Sequence, residues 1–268
     1  MNILLSVKGK ELMGNRTVID TTRLVVDPFN TDSQRRWNWT SLGRALLNSA
    51  ENHAKARNFG MMELNGQHFT WVLSRLTMEM SQMPEIYETV DVNTWIESVY
   101  RLFTNRNFSF LSPDGKVYGY ARSVWAMIDY ETRQPAQLEQ LEGELFKPFL
   151  APQIDCPIAP WSRIRPLCDA DYVKSQHVRY SDIDMNEHVN SIKYIEHIMD
   201  LLPIEKYQDG HHLKRLEIAY MSESYYGDNL AYFLRQTSET TYEVEVRRKL
   251  LPDMQKGETV VRAMLTVI

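Results

Sequence analysis

Asp184, Asn186 and His188 stand at alternate positions in the stretch Ser181-Asp182-Ile183-Asp184-Met185-Asn186-Glu187-His188-Val189-Asn190. On an extended segment, alternate side chains share one side; on a helix, Asp184 and His188 meet at i, i+4. Either backbone gathers an acid, an amide and an imidazole, the groups that can take a proton, orient a water or a carbonyl, and hand a proton to a leaving group. Taken singly, Asp184 reads as a turn or helix-capping residue and Asn186 as an Asx turn. The argument for chemistry rests on the three together.

The spacing predicts a helix immediately after them, from Asn190 to about Leu202. Ile192, Ile195, Ile198, Met199 and Leu202 form its apolar stripe, and Pro203 stops it. Its first amides, near Val189 and Asn190, and the positive end of its dipole would lie beside the cluster, where an oxyanion could be held.

At 268 residues, 43% hydrophobic and 24% charged, the chain can bury one large core or two smaller ones of roughly 100–150 residues each. A formal charge of -5 argues against nucleic acid as a partner, and neither zinc-ligand spacing nor a phosphate-cradling glycine loop is present. The apolar run Met1 to Val7 is too short for a signal peptide, and no stretch approaches the roughly 20 apolar residues of a membrane span. Cys156 and Cys168 form no CxxC pair and fit a reducing, cytoplasmic location.

In chain order, Arg23 to Val26 is a short strand, and Ser41 to Asn58 is a helix closed by Gly60, with Leu42, Ala45, Leu46, Ala50 and Ala54 as its stripe. His53 lies close to that stripe without an acid or amide beside it and reads as a packed core histidine. From His68 the period changes to two, and strands are expected at Thr89 to Glu97, Tyr100 to Leu111 and Lys116 to Ile128. Residues 131 to 170 hold six of the eleven prolines and read as a linker whose Leu145, Phe149 and Trp161 pack along a surface.

After the linker the order repeats. Val173 to Tyr180 is a strand, the Asn190 helix follows, and strands are expected at Leu213 to Glu223, Asn229 to Thr237, Thr241 to Lys249 and Glu258 to Ile268. Ala121 to Ile128 echoes Val261 to Ile268, and Thr40-Ser41-Leu42 echoes Asn190-Ser191-Ile192. The chain therefore reads as a duplicated α+β unit, one long helix wrapped by an antiparallel sheet, with units at 1–130 and 171–268. On that alignment Asp184, Asn186 and His188 fall opposite Gln34, Arg36 and Asn38, which cannot do acid–base work at neutral pH, so the chemistry belongs to the second unit. The first unit holds five of the six tryptophans, Trp37, Trp39, Trp71, Trp95 and Trp125, which suits either a long apolar tunnel or ordinary core packing.

The stretch Asp182 to Ile195 resembles the D-x-N-x-H-V-N-N-x-K-Y motif of the acyl-acyl-carrier-protein (acyl-ACP) thioesterases of plant plastids and their bacterial relatives. The first unit is similar too, in Trp71-Val72-Leu73-Ser74-Arg75, in Val90 to Trp95 and in Ala121 to Met127, and the likeness runs over roughly residues 20 to 268. The resemblance implies a tandem hot-dog fold, with an acyl-binding first unit and a catalytic second one. It implies hydrolysis of a fatty acyl-ACP thioester in fatty acid biosynthesis by Asp184, Asn186 and His188. A further family acid, in an E-C-G pattern, maps onto Glu223, followed here by Ser224 and Tyr225, so a cysteine nucleophile has no candidate there.

In that reading Glu223, or Asp184 through the same network, is the base; Asn186 orients water or the carbonyl; and His188 protonates the leaving thiolate. Two neighbouring carboxylates would push one pKa up. The implied partner is acyl carrier protein with its phosphopantetheine-linked chain, met by a basic face drawn from Arg35, Arg36, Arg44, Lys193, Lys214, Arg215, Arg247 and Arg248. No cofactor or metal is implied, and the chain would act as a monomer or a homodimer. Three alternatives stand beside this: an acyl-CoA thioesterase of the same fold, a hot-dog hydratase, whose D-x-N-P-x-H spacing differs by one residue, and a non-catalytic acyl- or carrier-binding module.

Overall fold

The computed structural model describes residues 17–138, 146–208, 210–249 and 257–268; the Met1 to Val7 run and Leu145 lie outside them. The first half runs β1 (Asp20–Val25), α1 (Trp39–Lys55), α2 (Met61–Asn65), β2 (Phe69–Met80), β3 (Thr89–Tyr100), β4 (Phe103–Leu111) and β5 (Val117–Asp129). The second runs β6 (Tyr172–His177), α3 (Ser191–Met199), β7 (Leu213–Tyr220), β8 (Asn229–Gln236), β9 (Thr241–Lys249) and β10 (Glu258–Val267).

The ten strands form a single antiparallel sheet in the order β1-β3-β4-β5-β2-β7-β10-β9-β8-β6. Each half contributes five consecutive strands, and the second half repeats the order of the first in reverse, as a two-fold axis between β2 and β7 requires. That seam pairs Leu76 with Ile218 and Met78 with Leu216, all four fully buried, so the alternating apolar side chains of both halves feed one core. The helices α1 and α3 pack against each other over that core. Gly43 permits the approach, since a Cβ there would stand 3.0 Å from Ile192 Cδ1 and 3.3 Å from Ile195 Cδ1.

Several boundaries differ from the sequence reading: β4 begins at Phe103 rather than Tyr100, β6 ends at His177 rather than Tyr180, and β7 ends at Tyr220, which leaves Glu223 in the loop that follows. Strand β1 begins at Asp20 and ends at Val25, and β3 runs on to Tyr100. Helix α1 starts at Trp39, behind an Asn38 cap whose side chain accepts the Ser41 amide, and gives way after Lys55. Asn58 then takes a left-handed conformation (φ 63°), and Gly60 is not a closing residue but the N-cap of α2, which at five residues is too short to show a helical period. Helix α3 stops at Met199, short of Leu202, before Pro203.

The proline-rich segment packs on the sheet. Leu150 pairs with Ile96, the Ser162 amide and hydroxyl both donate to the buried carboxylate of Glu217 at 2.7 Å, and the Leu167 amide donates to buried Glu245 at 2.7 Å. Trp161 lies under the Arg75 guanidinium at 5.2 Å. Buried acids facing outward from β7 and β9 are thus satisfied by the segment that crosses them.

Candidate active site

The stretch from Asp184 to Asn190 is a tight loop, neither strand nor helix. Ile183 and Val189 close it as an isolated bridge, the Asp184 amide donates to the His188 carbonyl at 2.9 Å, and Glu187 takes the left-handed conformation the turn demands (φ 64°). The Asp184 carboxylate folds back onto its own loop, with Oδ1 accepting the amides of Asn186 at 2.8 Å and His188 at 3.4 Å. It is an Asx turn, and the Asp184 carboxylate makes no hydrogen bond to the Asn186 or His188 side chain among the described residues. Asn190 then caps α3, its Oδ1 accepting the Ile192 amide.

A second loop, between β7 and β8, lies against the first. The Val189 amide donates to the Ser224 carbonyl at 2.8 Å, and His188 pairs with Tyr225 as a bridge. This pairing brings Glu223 to His188, with Nδ1 and Oε1 3.5 Å apart. The Tyr225 hydroxyl donates to the other oxygen, Oε2, at 3.0 Å, and its ring stands edge-on to the His188 ring, centroids 5.1 Å apart. Arg133, from the turn after β5, donates to Glu223 Oε1.

Arg133, His188 and Glu223 line a cavity of about 750 Å³. Its walls combine Asp184, Asn186, His188, Ser191 and Glu223 with Leu47, Glu51, Phe59, Trp71, Arg106, Trp125 and Phe146 of the first half and the segment after it. The tryptophans therefore divide: Trp71 and Trp125 line the cavity, whereas Trp37, Trp39 and Trp95 are buried in the core. His53 is fully buried against Phe59, and burial with the nearby Arg106 and Arg57 charges drives its pKa down to about 2, so it is a neutral core group.

Three expectations need correction. The Glu223 carboxyl is not raised. Burial does push it up, but the Arg133 hydrogen bond, the His188 charge and the Tyr225 hydroxyl together outweigh burial and hold it below the ordinary glutamate range. The Val189 and Asn190 amides are not available to an oxyanion, because they are bound to the Ser224 and Asp182 carbonyls, each at 2.8 Å. The Ser191 amide, the first of α3, is left without an acceptor among the described residues, and Ser191 is one of the residues that line the cavity. Finally, the two units align two residues away from the sequence expectation. The caps Asn38 and Asn190 coincide, which sets Asp184, Asn186 and His188 opposite Asp32, Gln34 and Arg36, and Glu223 opposite Met83.

Arg133 and Ser191 escaped the sequence reading. Arg133 lies 90 positions from Glu223, in the segment read as a linker, and no local pattern marked it; Tyr225 was visible only as a departure from E-C-G. Ser224 stands where that pattern has cysteine and is buried. Both real cysteines are free thiols in the crossing segment, and burial pushes Cys156 up to about 11, far from a thiolate.

Of the eight basic candidates, five are taken by acids of this chain: Arg36 by Asp32, Lys193 by Glu196, Arg215 by Glu79 and Glu217, Arg247 by Asp169 and Glu245, and Arg248 by Asp228 and Glu258. Arg35, Arg44 and Lys214 are exposed and make no ion pair among the described residues. Among those residues no three His, Cys, Asp or Glu side chains gather as metal ligands, and no helix is long and apolar enough to cross a membrane.

Comparison with known proteins agrees with this architecture. The acyl-ACP thioesterase N-terminal domain matches residues 21–146 and the C-terminal domain residues 167–265. An acyl-ACP thioesterase from Bacteroides thetaiotaomicron superposes with a TM-score of 0.84 at 45% identity, over 94% of this chain and 98% of that one. The 12:0-ACP thioesterase of Umbellularia californica shares the fold, with a TM-score of 0.81 at 18% identity over 95% and 99% of the two chains. In sequence, the chloroplast oleoyl-acyl carrier protein thioesterase 1 of Arabidopsis thaliana is 26% identical over 266 residues, covering 87% of this chain and 72% of that protein. The chain spans about half the length of other plant relatives it matches. With its tandem hot-dog sheet, its two-loop site and both family domains in order, the chain belongs to the acyl-ACP thioesterase family of thiolester hydrolases.

Proposed function

We propose that this chain hydrolyses the thioester of a fatty acyl-ACP, with Glu223 as the general base and His188 as its proton carrier. The observation that carries the reading is the Glu223–His188 contact of 3.5 Å on the wall of a cavity large enough for an acyl chain. Glu223 takes a proton from water as the water oxygen bonds to the carbonyl carbon. The oxyanion forms beside the Ser191 amide at the positive end of α3. His188 carries the proton on to the sulfur as the C–S bond breaks, so that a fatty acid and a thiol leave with no charge stranded in the site. Asn186, exposed at the cavity with its side chain unengaged among the described residues, orients water or the carbonyl.

Asp184 is the weaker choice for base. Its Oδ1 is committed to two backbone amides, and the equivalent Asp32 makes the same bonds in a loop that carries no imidazole. In this reading the first half holds the chain, along Trp71, Trp125 and Phe146, and the second half cuts it. The partner is the carrier protein, met by exposed Arg35, Arg44 and Lys214, and the enzyme works in the cytoplasm, where two unpaired cysteines are at home.

The test is thiol release from a panel of acyl-ACP and acyl-CoA substrates. Carrier-bound chains should be cleaved preferentially, and Glu223→Gln and His188→Ala, shown to be folded, should each lower kcat by about 10²–10⁴-fold. Equal rates on acyl-CoA would move the substrate assignment to the nucleotide thioester, and unchanged rates in both variants would sink the site.

A further inference from the structure

Glu223 is gripped on both oxygens. Tyr225 holds Oε2 from within the same loop, and Arg133 holds Oε1 from the other half of the molecule. The two grips are built differently. Tyr225 is braced in turn by the His188 ring at 5.1 Å and by the Arg248 guanidinium 5.7 Å above its own ring. Arg133 rides on a turn closed by Asp129, whose Oδ1 accepts the Glu131 and Thr132 amides while its carbonyl accepts the Arg133 amide at 2.8 Å.

Arg133 is also in the left-handed conformation, φ 61°, which a side chain adopts at a cost that glycine avoids. A turn built for packing alone would do better with glycine there. The residue instead carries the one side chain of the first half that touches the catalytic acid among the described residues.

Resting on the assignment of Glu223 as base, we propose that Arg133 is a positioning residue for hydrolysis. It reaches across from the acyl-binding half and, with Tyr225, fixes the plane of the Glu223 carboxylate against His188. A carboxylate on a connecting loop has free rotation about its last bonds, and two donors on its two oxygens remove it. The arrangement also makes the active site complete only when both halves are docked. Arg133 and His188 share Oε1, so the proton that Glu223 takes has its nearest relay on the same oxygen that Arg133 steadies.

The experiment measures kcat and KM for acyl-ACP across pH in Arg133→Gln, Arg133→Gly and Tyr225→Phe, beside Glu223→Gln. Arg133→Gln should lower kcat by about ten- to a hundredfold with little change in KM. Its acid limb should move to higher pH, because removing a cation destabilises the carboxylate and raises the pH at which Glu223 loses its proton. Tyr225→Phe should move the limb the same way by less. Arg133→Gly relieves the left-handed strain, so its thermal midpoint should hold or rise while kcat still falls, a split that a purely structural arginine would not give. A raised KM with kcat and acid limb unchanged would overturn the proposal and make Arg133 a contact for the carrier's phosphate. A dead Glu223→Gln beside fully active Arg133 variants would overturn the clamp alone, and a fully active Glu223→Gln would overturn both the base and its clamp.

Discussion

The loop from Asp32 to Asn38 and the loop from Asp184 to Asn190 are the same piece of backbone used for different ends. Each follows a short 3-10 turn, each is closed by an isolated bridge, and each ends in an asparagine that caps a helix. In both, an aspartate accepts the amides two and four residues on: Asp32 Oδ1 binds those of Gln34 and Arg36 at 2.9 Å, as Asp184 binds those of Asn186 and His188. Both place a left-handed residue before the key side chain, Arg35 at φ 60° and Glu187 at φ 64°. The difference lies in that side chain and its neighbour. Arg36 turns back to Asp32 Oδ2 and donates to the Tyr207 carbonyl of the second half at 3.0 Å, and Met83, buried, occupies the place of Glu223. One copy has become a lock between the halves and the other a site. What the two share is therefore scaffold, and what only the second has, His188 and Glu223, is where the proposed chemistry lies.

Asp184 is where this comparison can be broken most decisively. If it shapes the loop, Asp184→Asn should keep kcat within a few-fold, because an amide oxygen also makes an Asx turn, whereas Asp184→Ala should lose about a hundredfold through misplacement of His188. Equal collapse of both variants in the thiol-release assay would show that the charge itself is needed and that the shared aspartate is more than scaffold.

The lock gives a smaller effect of the opposite kind. Arg36→Ala removes the hydrogen bonds to Asp32 and to the Tyr207 carbonyl and should cost about 1–3 kcal/mol by denaturant midpoint, with kcat per folded molecule unchanged. A drop in kcat without a drop in stability would mean that the first loop still takes part in the reaction. Smallest of all, Asp32→Asn should lie within about 0.5 kcal/mol of the parent while Asp32→Ala loses about 1 kcal/mol. If the two substitutions behave alike, the Asx turn is not what holds this loop.

Much of the architecture was legible in sequence because it is local. Alternation of apolar side chains marks β2 to β5 and β7 to β10 to within a few residues, and the stripe Ile192, Ile195 and Ile198 marks α3. The duplication itself could be read, yet its register could not. Matching Ser41 to Ser191 by residue type put the loops two positions out, whereas the hydrogen bonds of Asn38 and Asn190 put them in step. The α2 helix was missed because five residues cannot display a period.

The amino-acid sequence alone determined that an acid, an amide and an imidazole stand at alternate positions before a helix, since that is a matter of spacing along one short stretch. It also determined the family, through motifs spread over both halves in a fixed order. Tertiary structure alone decided which acid faces the imidazole. The two-loop pairing sets Glu223 at His188 and leaves Asp184 bound to its own backbone, although Asp184 is far nearer in the chain. It likewise decided that Arg133, 90 residues away in the other half, helps His188 and Tyr225 to hold the Glu223 carboxyl below the ordinary glutamate range. Electrostatic environment depends on distance in space, and a chain folded about a two-fold seam brings together groups that no local pattern relates.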